Sequence, residues 1–298
     1  MKIYRSINLS KKHRGGVIAI GNFDGLHLGH QKVINQAKKK AKKNKKPFGI
    51  MTFEPDPVMF FNAKIKSHRI NSLNQKINQL QKLNLDFLII IKFNKSFSNL
   101  SAEQFIKEII YKKAKCKYLY VSRNFRFGFK RQGDIKTLKK FEHMYKYISV
   151  VTKPFKINNK IISSSFIRNK ISLGKIRETK KLLNREWTVE GQVIRGEKRG
   201  RQIGFPTCNI KLGDYIIPRL GVYAVKVRGV KFNKKGIANV GYRPTFNGQS
   251  LLLEVNIFGI NKNLYNKVIN ISFIKFIRSE KKFKGFERLK KQIQIDIN

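Results

Sequence analysis

The feature that most constrains the fold of this sequence is a glycine turn that joins a short apolar segment to a long helical pattern. The apolar segment is Gly16–Ile20, the turn is Gly21-Asn22-Phe23-Asp24-Gly25, and the helical pattern covers residues 28–43. A strand that runs through such a turn into a helix is the building unit of a parallel α/β sheet. We therefore predict a Rossmann-like α/β domain that begins with this unit.

The same alternation of apolar and Lys-rich helical segments continues to about residue 155. Strands are predicted at Gly16–Ile20, Phe48–Phe53, Phe87–Phe93, Tyr118–Val121 and Tyr147–Thr152. Helices are predicted over residues 28–43, 72–84, 101–114, 135–146 and 164–183. Ser101 is expected to cap the third of these helices, because it precedes the apolar periodicity and is followed by Glu103 and Gln104 in the first turn.

After Asn184 the pattern changes to short strands separated by glycine and proline. These strands are predicted at Thr188–Ile194, Gly221–Val227, Lys235–Val240, Leu251–Phe258 and Lys267–Ile274. Such spacing is typical of a small antiparallel barrel or sandwich. A closing amphipathic helix is expected over Phe286–Ile297, with Phe286, Leu289, Ile293 and Ile297 on the face that packs across the barrel.

Composition restricts the class of protein but leaves one ambiguity. With 298 residues and 41% hydrophobic content, the chain is long enough for two cores. The net charge of +48 is compatible with nucleic-acid binding, but the lysines are spread over nearly every segment together with many Asn and Ile residues. We therefore interpret the charge as compositional drift and expect no specific nucleic-acid partner.

The cysteines and apolar segments indicate the cellular compartment of the protein. Cys116 and Cys208 are far apart and lack metal-ligand spacing, so neither a disulfide framework nor a zinc site is expected. The longest apolar run, Phe87–Ile91, is much shorter than the ~20 residues that cross a bilayer. No apolar export segment follows the basic residues of the amino terminus. We expect a cytoplasmic protein without a membrane partner.

Two histidines near the start of the first long helix carry the first candidate chemistry. His27 and His30 lie three residues apart on one face of its first turn. Free N–H groups at a helix amino terminus bind anions, and Gly29 allows the backbone to approach a triphosphate. The imidazoles can donate hydrogen bonds to phosphate oxygens as charge builds up. Gly21, Asn22, Phe23 and Gly29 are predicted to bind ATP, with His27 and His30 catalytic.

The stretch Gly21–His30 resembles the HxGH signature of nucleotidyltransferases. Its longer form, GNFDGLHLGH, looks like the FMN adenylyltransferase half of bacterial bifunctional riboflavin kinase/FMN adenylyltransferases. The segment Thr52–Pro57 resembles the family's TFEPHP segment, with Asp56 where histidine is usual. The resemblance implies an enzyme that transfers AMP from ATP to FMN.

Two further segments continue this resemblance. Asn124-Phe125-Arg126-Phe127-Gly128 is similar to the family's flavin-side loop, which implies flavin binding by Asn124, Phe125 and Phe127. Ile162–Arg168 resembles the family's ISSTxxR motif, with Ser165 in place of threonine. There the resemblance implies that Ser163, Ser164 and Ser165 bind ATP phosphates and that Arg168 is catalytic. By itself, this segment is equally compatible with a capped surface helix.

The second half contains a basic glycine loop followed by an extended segment. Gly196, Arg199, Gly200, Arg201 and Gly204 form a loop suited to ATP phosphates. Thr207 and Asn209 follow on one side of the extended segment, where their oxygen atoms are ligands of the type that Mg²⁺ prefers. We predict that both residues bind ATP together with this metal ion. The loop and segment resemble the riboflavin kinase pattern GxVxxGxxxGRxxGFPTAN, with Cys208 at the alanine position.

Glu254 is the predicted general base of the second site. It is a lone carboxylate in an apolar strand, able to accept a proton from an attacking hydroxyl. The alternative is a glutamate that only pairs with one of the many lysines. Resemblance to the catalytic glutamate of riboflavin kinases favours the first interpretation, and it also implies flavin binding by Arg278 and Glu280.

The resemblance covers nearly the whole chain and implies two domains, residues 1–184 for FMN adenylyl transfer and 185–298 for riboflavin phosphorylation. ATP, riboflavin and FMN are the expected substrates, with FMN as intermediate and FAD as product. A class I aminoacyl-tRNA synthetase is disfavoured because no KMSKS-type loop is present. A basic nucleic-acid-binding protein with decayed enzyme motifs stays open, as do an enzyme with one active half and assembly into an oligomer.

Overall fold

The computed structural model describes residues 1–195, 200, 204–245, 248–260 and 262–297. The chain divides into two compact units, which are considered separately. The first unit contains Met1–Ile65 and Leu73–Ser163, and the second contains Lys66–Ser72 and the residues from Ser164 onward. No helix in these described ranges is both long enough and apolar enough to cross a membrane.

The first unit is built on a six-stranded parallel sheet with the order β1-β4-β3-β2-β5-β6. The strands are β1 Lys2–Tyr4, β2 Val17–Ile20, β3 Phe48–Glu54, β4 Phe87–Lys92, β5 Tyr118–Ser122 and β6 Ile148–Thr152. The predicted α/β class and its five strands are confirmed. The sequence analysis missed β1, because three residues are too few to display a period, and its pairing with β4 decides its conformation.

Helices connect these strands and cover both faces of the sheet. They are α1 Leu28–Lys43, α2 Pro57–Phe61, α3 Leu73–Gln81, α4 Lys95–Ser98, α5 Ala102–Gln104 and α6 Ile135–Lys140, and α5 continues into a π-helix at Phe105–Lys113. The predicted cap at Ser101 is confirmed, since Ser101 and Gln104 form a capping box. Ile18 and Ile20 belong to one buried cluster, whereas Val17 and Ala19 belong to the other. A strand that is buried on both faces identifies the centre of the sheet.

The order of strands creates a switch point between β2 and β5. From β2 the chain proceeds to β3 on one side, whereas β5 pairs with β2 on the other side. Ligands of open α/β sheets bind outside the carboxyl ends of the strands at such a point. Here β2 ends at Ile20, immediately before the glycine turn, and β5 ends at Ser122, immediately before Asn124 and Phe125. Both predicted loops of the adenylyl-transfer site therefore leave the same edge of the sheet.

The second unit is a closed six-stranded barrel with the order β10-β13-β12-β11-β14-β9. Its strands are β9 Trp187–Ile194, β10 Thr207–Lys211, β11 Gly221–Gly229, β12 Phe232–Thr245, β13 Gly248–Ile257 and β14 Val268–Arg278. The two strands that precede them, β7 Lys156–Ile157 and β8 Lys160–Ile161, form a hairpin of the first unit. All the barrel pairs are antiparallel. Of the two predicted architectures, barrel or sandwich, the chain therefore forms the barrel.

Within the described ranges, three named helices belong to the second unit. They are α7 Ser164–Ser172, α8 Ile176–Leu183 and α9 Phe286–Ile297. The helix predicted over residues 164–183 is divided in two at Gly174, whose φ of +71° lies in the left-handed region. The closing helix forms as predicted, but Phe286 is 56% exposed, so the predicted packing of its ring was wrong. Leu289, Ile293 and Ile297 are the partly buried apolar residues of that helix.

The division into compact units differs from the predicted boundary after Asn184. Helix α8 packs against β9 and β14, which places α7 and α8 with the barrel. The segment Lys66–Ser72 also belongs to this unit, and the indole Nε1 of Trp187 donates a hydrogen bond to its Ile70 carbonyl at 3.0 Å. Helices packed on a barrel cannot be assigned from sequence spacing, since the partner strands are distant in the chain. The division of the two activities at residue 184 stays a prediction.

Candidate functional site

His27 is the amino-terminal cap of α1 and is held in a single orientation. Its Nδ1 accepts a hydrogen bond from the backbone N–H of His30 at 3.3 Å. The His30 ring stacks on it with ring centroids 3.6 Å apart. Because Nδ1 acts as an acceptor, the neutral His27 ring carries its proton on Nε2. The two predicted catalytic histidines therefore form one stacked pair at a helix amino terminus, where anions are favoured.

The glycine turn is sharply bent, and Gly29 fits closely behind it. Phe23, Gly25 and Leu26 have φ values of +49°, +80° and +39°. Left-handed backbone at residues other than glycine is strained and persists only where the surroundings impose it. A Cβ at Gly29 would lie 3.0 Å from Cε1 of His27 and 3.1 Å from the carbonyl oxygen of Ile162. A side chain at position 29 would therefore be crowded by both the imidazole and the Ile162 backbone, which favours glycine there.

The glycine turn is also held in place by hydrogen bonds from Thr52 on β3 and to Asp56, which follows that strand. The Thr52 hydroxyl donates to the carbonyl oxygen of Asn22 at 3.0 Å, and the Asn22 amide reaches Oδ2 of Asp56 at 3.5 Å. Oδ1 of Asp56 caps α2 by accepting from the Val58 N–H at 2.9 Å. Asp56 departs from the histidine that is usual in the family, and in this chain its carboxylate has a structural role. The Phe23 ring is buried in the core, so only the backbone of Phe23 can face a nucleotide.

An open cavity of about 420 Å³ lies at the carboxyl ends of β5 and β6. Phe125, Ile135 and Val151 contribute apolar surface, and Arg123, Arg126, Lys136 and Lys153 contribute positive charge, of which Arg126 is paired with the lining carboxylate of Asp134 at 3.0 Å. Such a lining suits a flat aromatic ligand that carries phosphate. Of the predicted flavin residues, Phe125 lines this cavity, whereas Phe127 is buried and packs on Phe105 with centroids 5.3 Å apart. Asn124 is exposed and is not among the residues that line the cavity.

The serine and arginine segment is shared between the units. Ser163 belongs to the first unit, and Ser164, Ser165 and Arg168 belong to the second. Arg168 is partly buried, and its Nε donates to the carbonyl of His68 at 2.7 Å within the second unit. This hydrogen bond fixes one edge of the guanidinium group. The predicted phosphate clamp stays a prediction.

Part of the predicted basic loop lies outside the described residues, namely Gly196, Arg199 and Arg201. Gly200 and Gly204 are described. A Cβ at Gly200 would lie 2.4 Å from the carbonyl oxygen of Phe205 and 3.4 Å from Oγ1 of Thr207, so this glycine allows a close approach of two backbone segments. Gly204 has a φ of +85°, which favours glycine.

Thr207, Asn209 and Glu254 lie on one face of the barrel wall. Asn209 is paired directly with Glu254, and Thr207 with Asn256, across β10 and β13. Residues directly opposite each other, or two apart on a strand, share a face. Leu253 and Val255 on the alternate positions are fully buried, so Glu254 points away from the barrel core.

Asn209 offers an oxygen ligand that no described residue of the protein uses. The residue is 8% exposed, and its buried Oδ1 has no hydrogen-bond partner within the described ranges. A buried carbonyl oxygen without a donor is unfavourable unless a ligand satisfies it. Together with the nearby Thr207 hydroxyl, it suits a hard cation that binds oxygen. The described residues include no cluster of three or more His, Cys, Asp or Glu side chains that could hold a metal ion.

Glu254 forms an ion pair, but with an arginine instead of a lysine. Arg243 donates to its Oε2 from Nη2 at 2.6 Å and from Nε at 3.0 Å. Nη1 of the same guanidinium contacts Oε1 of Glu280 at 3.2 Å, and the Asn239 amide reaches that oxygen at 3.1 Å. Arg243 therefore joins two predicted site residues, Glu254 and Glu280, that are 26 positions apart in the sequence.

Arg243 and Asn239 were not predicted as site residues. The alternation of side chains along a strand could have placed Asn239 and Arg243 on one face from the sequence alone. Only the pairing of Asn239 with Glu254 in the structure shows that this face is the one that carries the site. Arg278, predicted to bind flavin, is occupied elsewhere. Its Nε and Nη2 form a bidentate ion pair with Asp296 of α9, with Nη2 2.7 Å from Oδ2.

Comparison with known proteins gives consistent matches along the whole chain. A family described as FAD synthetase matches residues 9–166, and one described as riboflavin kinase matches residues 183–298. The bifunctional riboflavin kinase/FMN adenylyltransferase of Buchnera aphidicola (subsp. Schizaphis graminum) is 42% identical, and the alignment covers 100% of this chain and 97% of the relative. The protein of the same description from Escherichia coli K12 is 34% identical, with 99% and 96% covered.

Two further similarities extend this set. The Bacillus subtilis 168 protein described as a bifunctional riboflavin kinase/FMN adenylyltransferase is 38% identical, with 97% of this chain and 92% of the relative covered. A crystal structure described as a macrolide-efflux protein from Streptococcus pneumoniae superimposes with a TM-score of 0.86 at 28% identity. It covers 99% of this chain and 96% of its own, so the two proteins share the architecture of both halves.

Proposed function

The chain belongs to the family of bifunctional riboflavin kinase/FMN adenylyltransferases, and we propose that its barrel and its parallel sheet each carry out one of the two reactions. The chain is an enzyme of flavin cofactor biosynthesis. It phosphorylates riboflavin with ATP to give FMN and ADP, and it then transfers AMP from a second ATP to FMN to give FAD and pyrophosphate. Its substrates are therefore ATP and flavins.

In the kinase reaction, Glu254 acts as the general base. Its carboxylate accepts the proton of the ribityl 5′-hydroxyl while that oxygen forms a bond to the γ-phosphorus of ATP. The bond from the γ-phosphorus to the bridging oxygen breaks, and ADP leaves with that electron pair. Thr207 and Asn209 hold the divalent cation of the nucleotide, for which Mg²⁺ is the proposed identity. When bound, the cation neutralises charge that develops on the phosphates.

In the adenylyl-transfer reaction, His27 and His30 stabilise charge rather than remove a proton. An oxygen of the FMN phosphate, already ionised, attacks the α-phosphorus of ATP, and pyrophosphate leaves. The Nε2–H of His27 and the backbone N–H groups of Leu28 and Gly29, at the amino terminus of α1, donate to phosphate oxygens. The cavity beside Phe125 binds the flavin, and Arg168 with Ser163, Ser164 and Ser165 supplies a second phosphate clamp.

Other features complete the proposal. The enzyme works in the cytoplasm, which is supported by ATP as substrate and by two free cysteines, Cys116 and Cys208. Its partners are small molecules, and the positive charge serves no specific nucleic acid. Flavin contacts by Arg278 and Glu280 belong to the kinase half, with Arg278 oriented by its ion pair with Asp296.

The observation that carries this division is the pairing of Asn209 with Glu254 across β10 and β13. It puts a base and an oxygen ligand with an unused lone pair side by side on the barrel wall. The stacked His27 and His30 belong to the other unit. Two sets of chemically different groups support two different phosphate reactions.

The test is to separate the two activities by single substitutions. The purified protein is incubated with riboflavin, ATP and Mg²⁺, and the flavins are resolved by chromatography. We expect His30→Ala to accumulate FMN without FAD. We expect Glu254→Ala to make no FMN, while it still converts added FMN into FAD. His143→Ala and Glu287→Ala, at exposed positions, are the matched controls. Equal loss of both steps in both site variants would refute the division.

A further inference from the structure

Three alternate residues of β12 form the surface on which this inference rests. Asn239, Gly241 and Arg243 are alternate residues and share one face. Asn239 lies between the buried Ala238 and Val240, so this face points away from the barrel core, and the hydrogen bonds of Arg243 to Glu254 place its side chain on the same side. Asn239 is the direct neighbour of Glu254 on β13. The surface therefore continues the row formed by Asn209 and Glu254 onto a third strand.

The guanidinium of Arg243 is fixed on both sides. Nε and Nη2 both donate to one oxygen of Glu254, Oε2. On the opposite side, Nη1 donates to Oε1 of Glu280 at 3.2 Å and to the carbonyl oxygen of Tyr242 at 3.0 Å. A planar guanidinium held at both edges cannot rotate without breaking charge-assisted hydrogen bonds. Its position therefore dictates the position of the Glu254 carboxylate.

This arrangement uses only one of the two carboxylate oxygens. Within the described ranges, no hydrogen bond reaches Oε1 of Glu254. The Glu254 side chain is 28% exposed, so it is not closed off from a substrate. A carboxylate held through one oxygen presents the other in a fixed direction, which is what proton transfer from a hydroxyl requires.

Gly241 makes the far contact possible. A Cβ at this position would lie 2.1 Å from Oε1 of Glu280 and 2.9 Å from Nη1 of Arg243. The bare backbone thus lets the Glu280 carboxylate cross the strand and reach the guanidinium. The missing side chain at position 241 and the hydrogen bond from Arg243 to Glu280 therefore both indicate that Glu280 holds the guanidinium group.

We propose that Arg243 is a positioning residue of riboflavin phosphorylation: it holds Glu254 by Oε2, with Glu280 as its anchor, so that Oε1 faces the ribityl hydroxyl. The inference rests on the proposed role of Glu254 as the base. It gives Glu280 a role in orienting the base, in addition to any contact with flavin.

The first experiment compares kinase kinetics of Arg243→Ala and Arg243→Lys with the wild type, using the full chain. Misplacement of a reacting group by about 1 Å lowers rates by about 10²-fold. We expect kcat for FMN formation to fall by about this factor in both variants, with KM for riboflavin within about 2-fold. Conversion of supplied FMN into FAD stays at the wild-type rate and reports that the chain is folded. Arg228→Ala, at an exposed position of β11, is the matched control.

The second experiment separates orientation of the base from a structural role. Guanidinium ion at tens of millimolar is expected to restore at least about 10-fold of the lost kcat in Arg243→Ala, because it can occupy the vacated site between two carboxylates. It destabilises folded proteins, so it cannot restore activity that was lost through unfolding. Absence of rescue would overturn the proposal.

A double-mutant cycle tests the anchor. Glu280→Gln should lower kcat by less than Arg243→Ala, and the double variant should be no slower than Arg243→Ala alone, because both changes act through one guanidinium. Multiplicative losses would show that Glu280 acts independently and would contradict its role as anchor. A wild-type enzyme that makes no FMN would refute the proposed function, whereas a normal rate in Arg243→Ala refutes only this inference.

Discussion

Gly29 and His27 are in contact within the first turn of α1, where a Cβ at position 29 would lie 3.0 Å from Cε1 and 3.1 Å from Nδ1 of the imidazole. Nδ1 is also the atom that accepts the His30 N–H. The glycine that we propose to lie close to a phosphate is thus also the residue that leaves room for the histidine ring. The spacing of this motif has a steric cause as well as a chemical one.

The first prediction concerns that contact. Gly29→Ala should push the His27 ring away from its cap position and lower kcat of FMN adenylylation by about 10²-fold. Riboflavin phosphorylation should remain unchanged, because its proposed residues lie in the barrel. Steady-state assays of both steps measure the effect, and Asn35→Ala, at an exposed position of the same helix, is the control. Unchanged adenylylation would mean that the ring position does not matter.

The second prediction concerns Asp56, whose two oxygens cap α2 and contact Asn22. Loss of a helix cap costs about 0.5–2 kcal/mol. Asp56→Ala should therefore lower the free energy of unfolding by about that amount and also slow adenylylation, because Asn22 loses a partner. Asp56→Asn keeps a capping oxygen and should be much closer to the wild type. Chemical denaturation followed by circular dichroism measures the difference, and equal stability of Asp56→Ala and wild type would contradict the assignment.

The third prediction concerns the attachment of α9. The side chains of Arg278 and Asp296 are 15% and 3% exposed, and they form a bidentate ion pair. Removal of one partner from a buried pair leaves an uncompensated charge and costs about 3–5 kcal/mol. Asp296→Ala should release α9 from the barrel and make it accessible to trypsin, which limited proteolysis with mass spectrometry detects. Glu287→Ala on the same helix should leave the cleavage rate unchanged.

The fourth prediction concerns alkaline pH. Burial raises the pKa of the Cys116 thiol from 9.0 to about 12. Between these values the unfolded chain has released a proton that the folded chain still holds, so this contribution to stability is complete below pH 9.0 and is lost as the pH rises toward about 12. Burial also raises the pKa of Tyr215 to about 12, with the same sign.

The free energy of unfolding should therefore fall as the pH rises above 9.0, with up to ~1.4 kcal/mol per pH unit from Cys116, and the midpoint temperature of thermal unfolding should fall with it. Cys116→Ala removes this thiol and should show a smaller decrease over the same interval, whatever its stability at neutral pH. Scanning calorimetry at several pH values measures both slopes. Identical slopes in the two proteins would contradict the assigned pKa.

The sequence by itself determined the local features. Helix α1 occupies the predicted residues 28–43, because apolar periodicity and the preceding glycine turn act over a few residues. The proximity of His27 and His30 follows from the same short stretch, whereas the stacking of their rings was not predicted, because His27 precedes the helix as its cap and is oriented by the His30 N–H. Most of the other predicted elements also lie within a few residues of those observed, whereas α6 ends at Lys140 instead of residue 146 and the short elements α2, α4, β7 and β8 were not predicted.

Only the tertiary structure decided which distant residues meet. The strand β1 forms through its pairing with β4, and α7 and α8 join the barrel through packing that no local pattern encodes. The ion pair of Arg243 with Glu254 depends on the register of β12 against β13, and a shift of one residue would turn one of the two side chains to the other face. Local propensity fixes the elements, whereas register and packing between elements distant in sequence fix the neighbours of each functional group.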